Sequence, residues 1–290
     1  MADDRRVTSV AATHSRRPGA TVVKLTGTIG AVIKGMDLRH DLDSAHDVIR
    51  AALDVHHVVF LPGQPLSDRQ LRRLANRFGA LRVSPVHRLV GASHTTSVIE
   101  DSADRPPAGF DWHTDLSWTE DPPELGFLNA LEIPPYGGDT IWVSLAAAWA
   151  SLPAEAQEQC RSRRAVHRPD STLLASVAAH HGPAVADRLQ REHPPVRHPL
   201  VRTHHRTGRP GLFVSPLYVE RIDGLPADAS DALLAVLRRA IEDPNHQIRW
   251  RWSPGDVAIW DETATCHRAL TDHHPQHRAM RRGVAGIAIP

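Results

Sequence analysis

The sequence predicts a mainly β domain with peripheral helices, a sandwich or barrel in architecture. Short runs rich in β-branched and aromatic residues, bounded by Gly, Pro and Asp, recur along most of the 290 residues. Helix-period patterns concentrate in the first third of the chain and in a helical insert near 144–195. No internal repeat or low-complexity boundary divides the chain, so residues 20–290 read as one domain behind a disordered tail at 1–19.

Residues 21–25 and 31–33 read as strands around turns at Gly27 and Gly30. Asp43 or Ser44 caps a helix to about Leu53, with Ile49, Ala52 and Leu53 on its buried side. Val58-Val59-Phe60-Leu61 is a buried strand ended by Pro62-Gly63, and Ser67 caps a helix in which Leu71, Leu74, Ala75 and Phe78 recur before Gly79. Residues 83–110 lose periodicity apart from a strand near 97–99, and so long an irregular segment reads as a lid or substrate loop. Strands follow at 125–131 and 140–143, the second behind the Gly137-Gly138 turn, then helices near 145–151, 154–160 and 184–191. Residues 198–203 and 211–214 make a hairpin, and 229–241 is a helix with Leu233, Leu234, Val236 and Leu237 on one face. Residues 256–260 form the strand expected to deliver His267, and 283–289 the closing strand.

Composition narrows the function. The 34 Lys and Arg nearly balance the 33 Asp and Glu, which argues against an extended nucleic-acid or membrane surface and leaves a small polar or anionic substrate open. No apolar run follows the N-terminal arginines, so neither a signal peptide nor a membrane helix is expected. Cys160 and Cys266 are too few for a disulfide framework and fit a reducing cytoplasm. The 20 histidines are scattered and read mostly as surface or turn residues. A homo-oligomer remains open.

The chemistry centres on Trp112-His113-Thr114-Asp115. In an extended strand residues i and i+2 share a side, so the His113 imidazole and the Asp115 carboxylate would converge. With His267 as a third ligand they form a facial set whose open positions suit non-haem Fe(II) working on oxygen. A His-x-Asp pair arises by chance about once or twice in a chain of this composition, so other residues must support it. Thr140 starts a strand 25 residues after Asp115, and Arg278 and Arg282, an even spacing apart, would share one face of a strand. Taken singly, Thr140 is an ordinary strand residue and the arginines belong to a basic surface run.

The ordered set His113, Asp115, Thr140, His267, Arg278 and Arg282 resembles the TauD/TfdA family, the taurine and 2,4-dichlorophenoxyacetate dioxygenases. Further matches are Val58-Val59-Phe60-Leu61, Arg77-Phe78-Gly79, Gly137-Gly138-Asp139-Thr140 and the stretch from Gly255 to Asp261. The resemblance implies a double-stranded β-helix (jelly roll, cupin-like) and an Fe(II)- and 2-oxoglutarate-dependent dioxygenase consuming O2. It implies Fe(II) at His113, Asp115 and His267, and the distal 2-oxoglutarate carboxylate at Thr140 and Arg278. Arg282 would face the metal-bound carboxylate and the anionic group of the substrate. The reaction would hydroxylate a C–H bond of a small anionic molecule and release succinate and CO2; a carboxylate at Asp115 leaves no vacancy for a halide. Where taurine-oxidising members of the family contact substrate through a His, a Tyr and an Asn, this sequence has Ser84, His87 and Gly109, so the taurine pocket is not preserved, and Ser84, His87 and Phe110 are the substrate-side candidates. Alternatives are a tailoring oxygenase of a natural-product intermediate, a zinc hydrolase on the same three ligands and a noncatalytic binding protein.

Overall fold

The structure, a computed structural model, describes residues 19–287. The expected tail at 1–19 lies outside it save for Gly19, as does the far end of the expected strand at 283–289. Strands β1 (Thr21–Lys24), β2 (Ala31–Lys34) and β3 (Val58–Leu61) flank helix α1 (Leu42–His56). Helices α2 (Asp68–Ala75) and α3 (Pro85–Leu89) precede β4 (Thr96–Asp101), β5 (Leu125–Glu132) and β6 (Thr140–Ser144). Next come α4 (Leu145–Ala150), α5 (Ala154–Arg161), β7 (Arg164–His167), α6 (Ser171–His181) and α7 (Pro183–Glu192). Strands β8 (Val196–Pro199), β9 (Val201–Thr203), β10 (Pro210–Leu212) and β11 (Val219–Ile222) lead to α8 (Ala227–Glu242). The chain finishes with β12 (Gln247–Trp250), β13 (Val257–Asp261), β14 (Thr265–Ala269) and β15 (Arg278–Ala285).

Seven strands make one sheet in the order β1-β2-β3-β13-β5-β15-β4, antiparallel except for β2 beside β3. A second sheet, β12-β6-β14, packs on its inner face through Phe60, Trp142, Trp250 and Trp260. The apolar run in β3 follows from this layering. Val58 and Phe60 point into the layer between the sheets, whereas Val59 and Leu61 point out to α1 and α2. Each such side chain taken from water contributes roughly 1.5–3 kcal/mol. Helices α4, α5 and α8 cover the far side of the small sheet, and α3, α6 and α7 gather around Trp118 and Tyr218.

The expectation of a mainly β fold gives way to a mixed α/β one, because the helices together hold slightly more residues than the strands. The stretch near 144–195 also carries strand β7, which pairs with β8 and β11, so it is not wholly helical. Within 83–110 the chain forms α3 and β4, the latter pairing along β15. Among the described residues eight histidines are buried, a larger minority than a reading of mostly surface or turn residues suggests. Several are satisfied by backbone carbonyls, as when His246 Nδ1 meets Ala240 O at 2.8 Å and His198 Nε2 meets Thr119 O at 3.0 Å. No helix among the described residues is long and apolar enough to cross a membrane.

Candidate active site

His267 lies in β14, opposite Trp142 of β6. Strand alternation sends its ring inward and turns Cys266 outward into the apolar layer of Val143 and Trp112. Contrary to expectation, the strand ending at Asp261 does not itself deliver His267. Strand β13 belongs to the large sheet and β14 to the small one. A tight turn between them is held by Thr263 N–H donating to Asp261 Oδ1 at 2.7 Å and Thr265 Oγ1 donating to Asp261 O at 2.7 Å.

His113 is not on a regular strand. It forms a single antiparallel bridge with His267, each N–H donating to the other's carbonyl at 3.0 and 2.8 Å, which sets the ring centroids 4.3 Å apart. Asp115 therefore does not reach the site by strand alternation. Thr114 is pinned by its N–H to Ser215 Oγ at 3.1 Å and by its hydroxyl to Thr265 O at 3.0 Å. The chain then turns, with Leu116 at a φ of 54° and the Asp115 amide donating to Glu262 Oε2 at 3.0 Å. As a result Asp115 Oδ1 stands 3.7 Å from His113 Nε2 and 4.0 Å from His267 Nε2.

These three side chains offer ligand atoms within 4.8 Å of one another, the only such group of three among the described residues. His113 Nδ1 lies 2.8 Å from Asp111 O, a pure acceptor, so Nδ1 carries the proton and the Nε2 lone pair faces Asp115. Burial lowers the His113 pKa, and burial with the His113 neighbour pushes His267 down to about 3. Both imidazoles are thus neutral, the form that binds a metal. Burial works against the Asp115 charge, but the Arg282 guanidinium outweighs it and holds the carboxylate well below its ordinary range. Two imidazoles and one carboxylate with further positions open fit a divalent transition ion. They fit neither an oxygen-only calcium site nor a closed four-ligand zinc site.

The double glycine builds the next part. Gly137 and Gly138 have φ values of 68° and 69°, and a Cβ on Gly138 would lie 2.9 Å from Arg278 Cδ. That close approach lets buried Arg278 donate from Nε to Gly138 O at 3.0 Å. Burial lowers the Arg278 pKa, countered by Asp101 and Asp139. Thr140, also buried, accepts the Trp252 indole N–H at 3.0 Å, which leaves its own O–H free to donate. Arg282 shares the face of Arg278 on β15, as the even spacing predicts, and binds Asp115 Oδ2 through Nε at 3.1 Å and also through Nη2.

One cavity of about 350 Å³ is lined by His113, Asp115, His267, Thr140, Arg278 and Arg282. Ser84, His87 and Phe110 line it too, so every site residue nominated from sequence borders the same space. Sequence reasoning missed Tyr218, Asp101 and α6, whose Leu173 and Val177 form part of the wall. A signal for α6 exists. Asp170 caps it by accepting the Leu173 and Thr172 N–H groups at 2.9 Å each. Arg105, from the 83–110 segment, donates to His180 of α6 at 2.9 Å across the cavity lining.

Two packed, largely antiparallel sheets with a His-Asp-His set that could hold one metal ion at a cavity have the layout of a mononuclear metal enzyme. The chain matches the family model "Taurine catabolism dioxygenase TauD, TfdA family" over residues 21–284. It is 34% identical over 272 residues to an alpha-ketoglutarate-dependent sulfate ester dioxygenase of Pseudomonas putida, covering 92% of this chain and 89% of that protein. It is 33% identical over 267 residues to an alkylsulfatase of Acinetobacter baylyi, covering 89% and 82%. The crystal structure of a taurine dioxygenase from Burkholderia xenovorans aligns with a TM-score of 0.77 at 31% identity, covering 94% of this chain and 92% of that one. The chain belongs to the TauD/TfdA family of alpha-ketoglutarate-dependent dioxygenases, and its His-Asp-His group could hold the metal ion of such an enzyme.

Proposed function

We propose that the enzyme uses Fe(II), held by His113, Asp115 and His267, to hydroxylate a C–H bond of a small anionic organic substrate. The co-substrate is 2-oxoglutarate, the oxidant O2, and the scaffold a double-stranded β-helix made by the seven-stranded sheet and β12-β6-β14. One observation carries this reading: two neutral imidazoles and a carboxylate converge within 4.8 Å in a cavity they share with Arg278 and Thr140. When bound, Fe(II) supplies the activation of O2, coupled to oxidative decarboxylation of 2-oxoglutarate to succinate and CO2.

The chain's own residues bind and orient. Arg278 donates from Nε to Gly138 O, has Asp101 Oδ2 4.0 Å from Nη1, and turns its guanidinium fork to the distal carboxylate of 2-oxoglutarate, which the Thr140 hydroxyl also meets. Arg282 takes Asp115 Oδ2, which leaves Oδ1 for the metal, and its remaining N–H donors serve the anionic group of the substrate. Ser84, His87 and Phe110, with Val86 and Val177, receive the rest of the substrate. Sulfate esters head the substrate class because two relatives spanning more than four fifths of their own length are named for them. The buried, unpaired Cys160 and Cys266 support a cytoplasmic setting.

The test is succinate release with Fe(II), 2-oxoglutarate and O2 across a panel of alkyl sulfates, sulfonates, carboxylates and matched neutral alcohols. Release should rise with an anion, and mass analysis should find its oxidised product. Stimulation by a neutral compound alone would overturn the anionic assignment.

A further inference from the structure

Glu262 is fully buried, sits behind the metal group and lines none of the cavity. Each of its carboxyl oxygens accepts one N–H. Oε2 takes the Asp115 amide at 3.0 Å, and Oε1 takes the Trp260 indole at 2.8 Å. The Trp260 ring in turn packs edge-on against His267, with centroids 5.0 Å apart. Space for this arrangement is made by Gly126 on the neighbouring strand. A Cβ there would lie 2.2 Å from the Trp260 ring and 2.8 Å from Glu262 Oε1.

We infer that Glu262 is a positioning residue of the metal centre, fixing the Asp115 backbone directly and the His267 ring through Trp260. The inference rests on His113, Asp115 and His267 being the metal ligands. The Asp115 amide sits just before Leu116, in the left-handed region at a φ of 54°, so the turn that aims this carboxylate is held on one side by Glu262. Only a side chain with two acceptor oxygens can serve both donors. A glutamine has one, and whichever way its amide is flipped an NH2 group faces an N–H. Neighbours that hold metal ligands in place typically change affinity by about 10–100-fold when removed.

The experiment uses Co(II) as probe on the full chain, with affinity read by calorimetry, the ligand field by visible absorption and folding by far-UV circular dichroism. Glu262→Gln should bind Co(II) about 10–100-fold more weakly than wild type and alter the absorption bands while remaining folded. Trp260→Phe removes the indole donor. In the double variant Glu262→Gln/Trp260→Phe the amide oxygen is therefore free to accept the Asp115 N–H, and affinity should return to within a few-fold of Trp260→Phe alone. Wild-type affinity and spectrum in Glu262→Gln would overturn the inference. So would a double variant that binds at least about tenfold more weakly than Trp260→Phe, the comparison that decides if Glu262→Gln does not fold. Absence of Co(II) binding by wild type would instead overturn the metal-ligand reading beneath it.

Discussion

Arg282 occupies one edge of the Asp115 carboxylate and leaves the other to the two imidazoles: Arg282 Nε donates to Asp115 Oδ2 at 3.1 Å, while Oδ1 faces His113 and His267. The arginine neutralises a buried anion and at the same time fixes which oxygen is offered. Burial lowers the Arg282 pKa, but the Asp115 carboxylate more than compensates and raises it.

Removing that partner leaves a buried charge alone, which costs about 3 kcal/mol or more. Arg282→Met should therefore lower the Tm of the metal-free protein at neutral pH. Because the Asp115 pKa is depressed in the folded state, the pair stabilises above the ordinary value of 3.8 and its contribution fades as pH falls below that. In the variant the buried, unpaired Asp115 takes up its proton at a higher pH than in wild type, so the Tm difference should be largest near pH 7 and shrink as pH falls. Equal Tm values at pH 7 would refute the pairing.

Gly138→Ala should disturb both backbone and site. Its φ of 69° costs a residue with a Cβ about 1–2 kcal/mol, and that Cβ would press on Arg278 Cδ at 2.9 Å. A Tm reduced by several degrees, together with a raised 2-oxoglutarate requirement, is the expected result. Steady-state kinetics and calorimetric melting check it.

Arg278→Ala removes a charged fork from a buried site, and hydrogen bonds to charged groups are worth about 1.5–3 kcal/mol. The 2-oxoglutarate concentration for half-maximal turnover should rise about 10–100-fold. Arg278→Lys, which keeps the charge without the fork, should recover only part of this. An unchanged requirement in Arg278→Ala would move the carboxylate to another residue.

Buried histidines predict acid sensitivity. Burial lowers His57 and His198 from 6.5 to about 4, and His267 to about 3. Each folded pKa lies below its unfolded value, so the unfolded chain binds more protons below pH 6.5 and stability is lost as pH falls. Between pH 6.5 and about 4 each contributes a loss of up to about 1.4 kcal/mol per pH unit. Thermal melts of the metal-free protein should show Tm falling through this window. A flat profile would contradict neutral burial of these rings.

Local signals carried much of the fold into the sequence. Ser67 forms the capping box with Gln70, and Val58 to Leu61 alternate between two apolar layers. Arg278 and Arg282 share a face because β15 alternates without a break along β4, despite a register shift against β5 between Ala279 and Met280. Non-local pairing was less legible. Two backbone bonds between His113 and His267 replace the expected strand, and no periodicity encodes a bridge between residues so far apart. Glu262 escaped notice because its meaning lies in the Asp115 amide and the Trp260 indole, which folding brings to it. The α6 wall was obscured because Leu173, Leu174, Val177 and Ala178 sit in a helix with a weak apolar stripe.

The most direct test of the account is the anaerobic absorption spectrum of the intact protein with Fe(II) and 2-oxoglutarate. A metal-to-ligand charge-transfer band should develop in wild type, and His113→Ala and Asp115→Ala, still folded, should lack it. Absence of the band in wild type, or its persistence in either variant, would contradict the assignment of His113, Asp115 and His267 as the iron site.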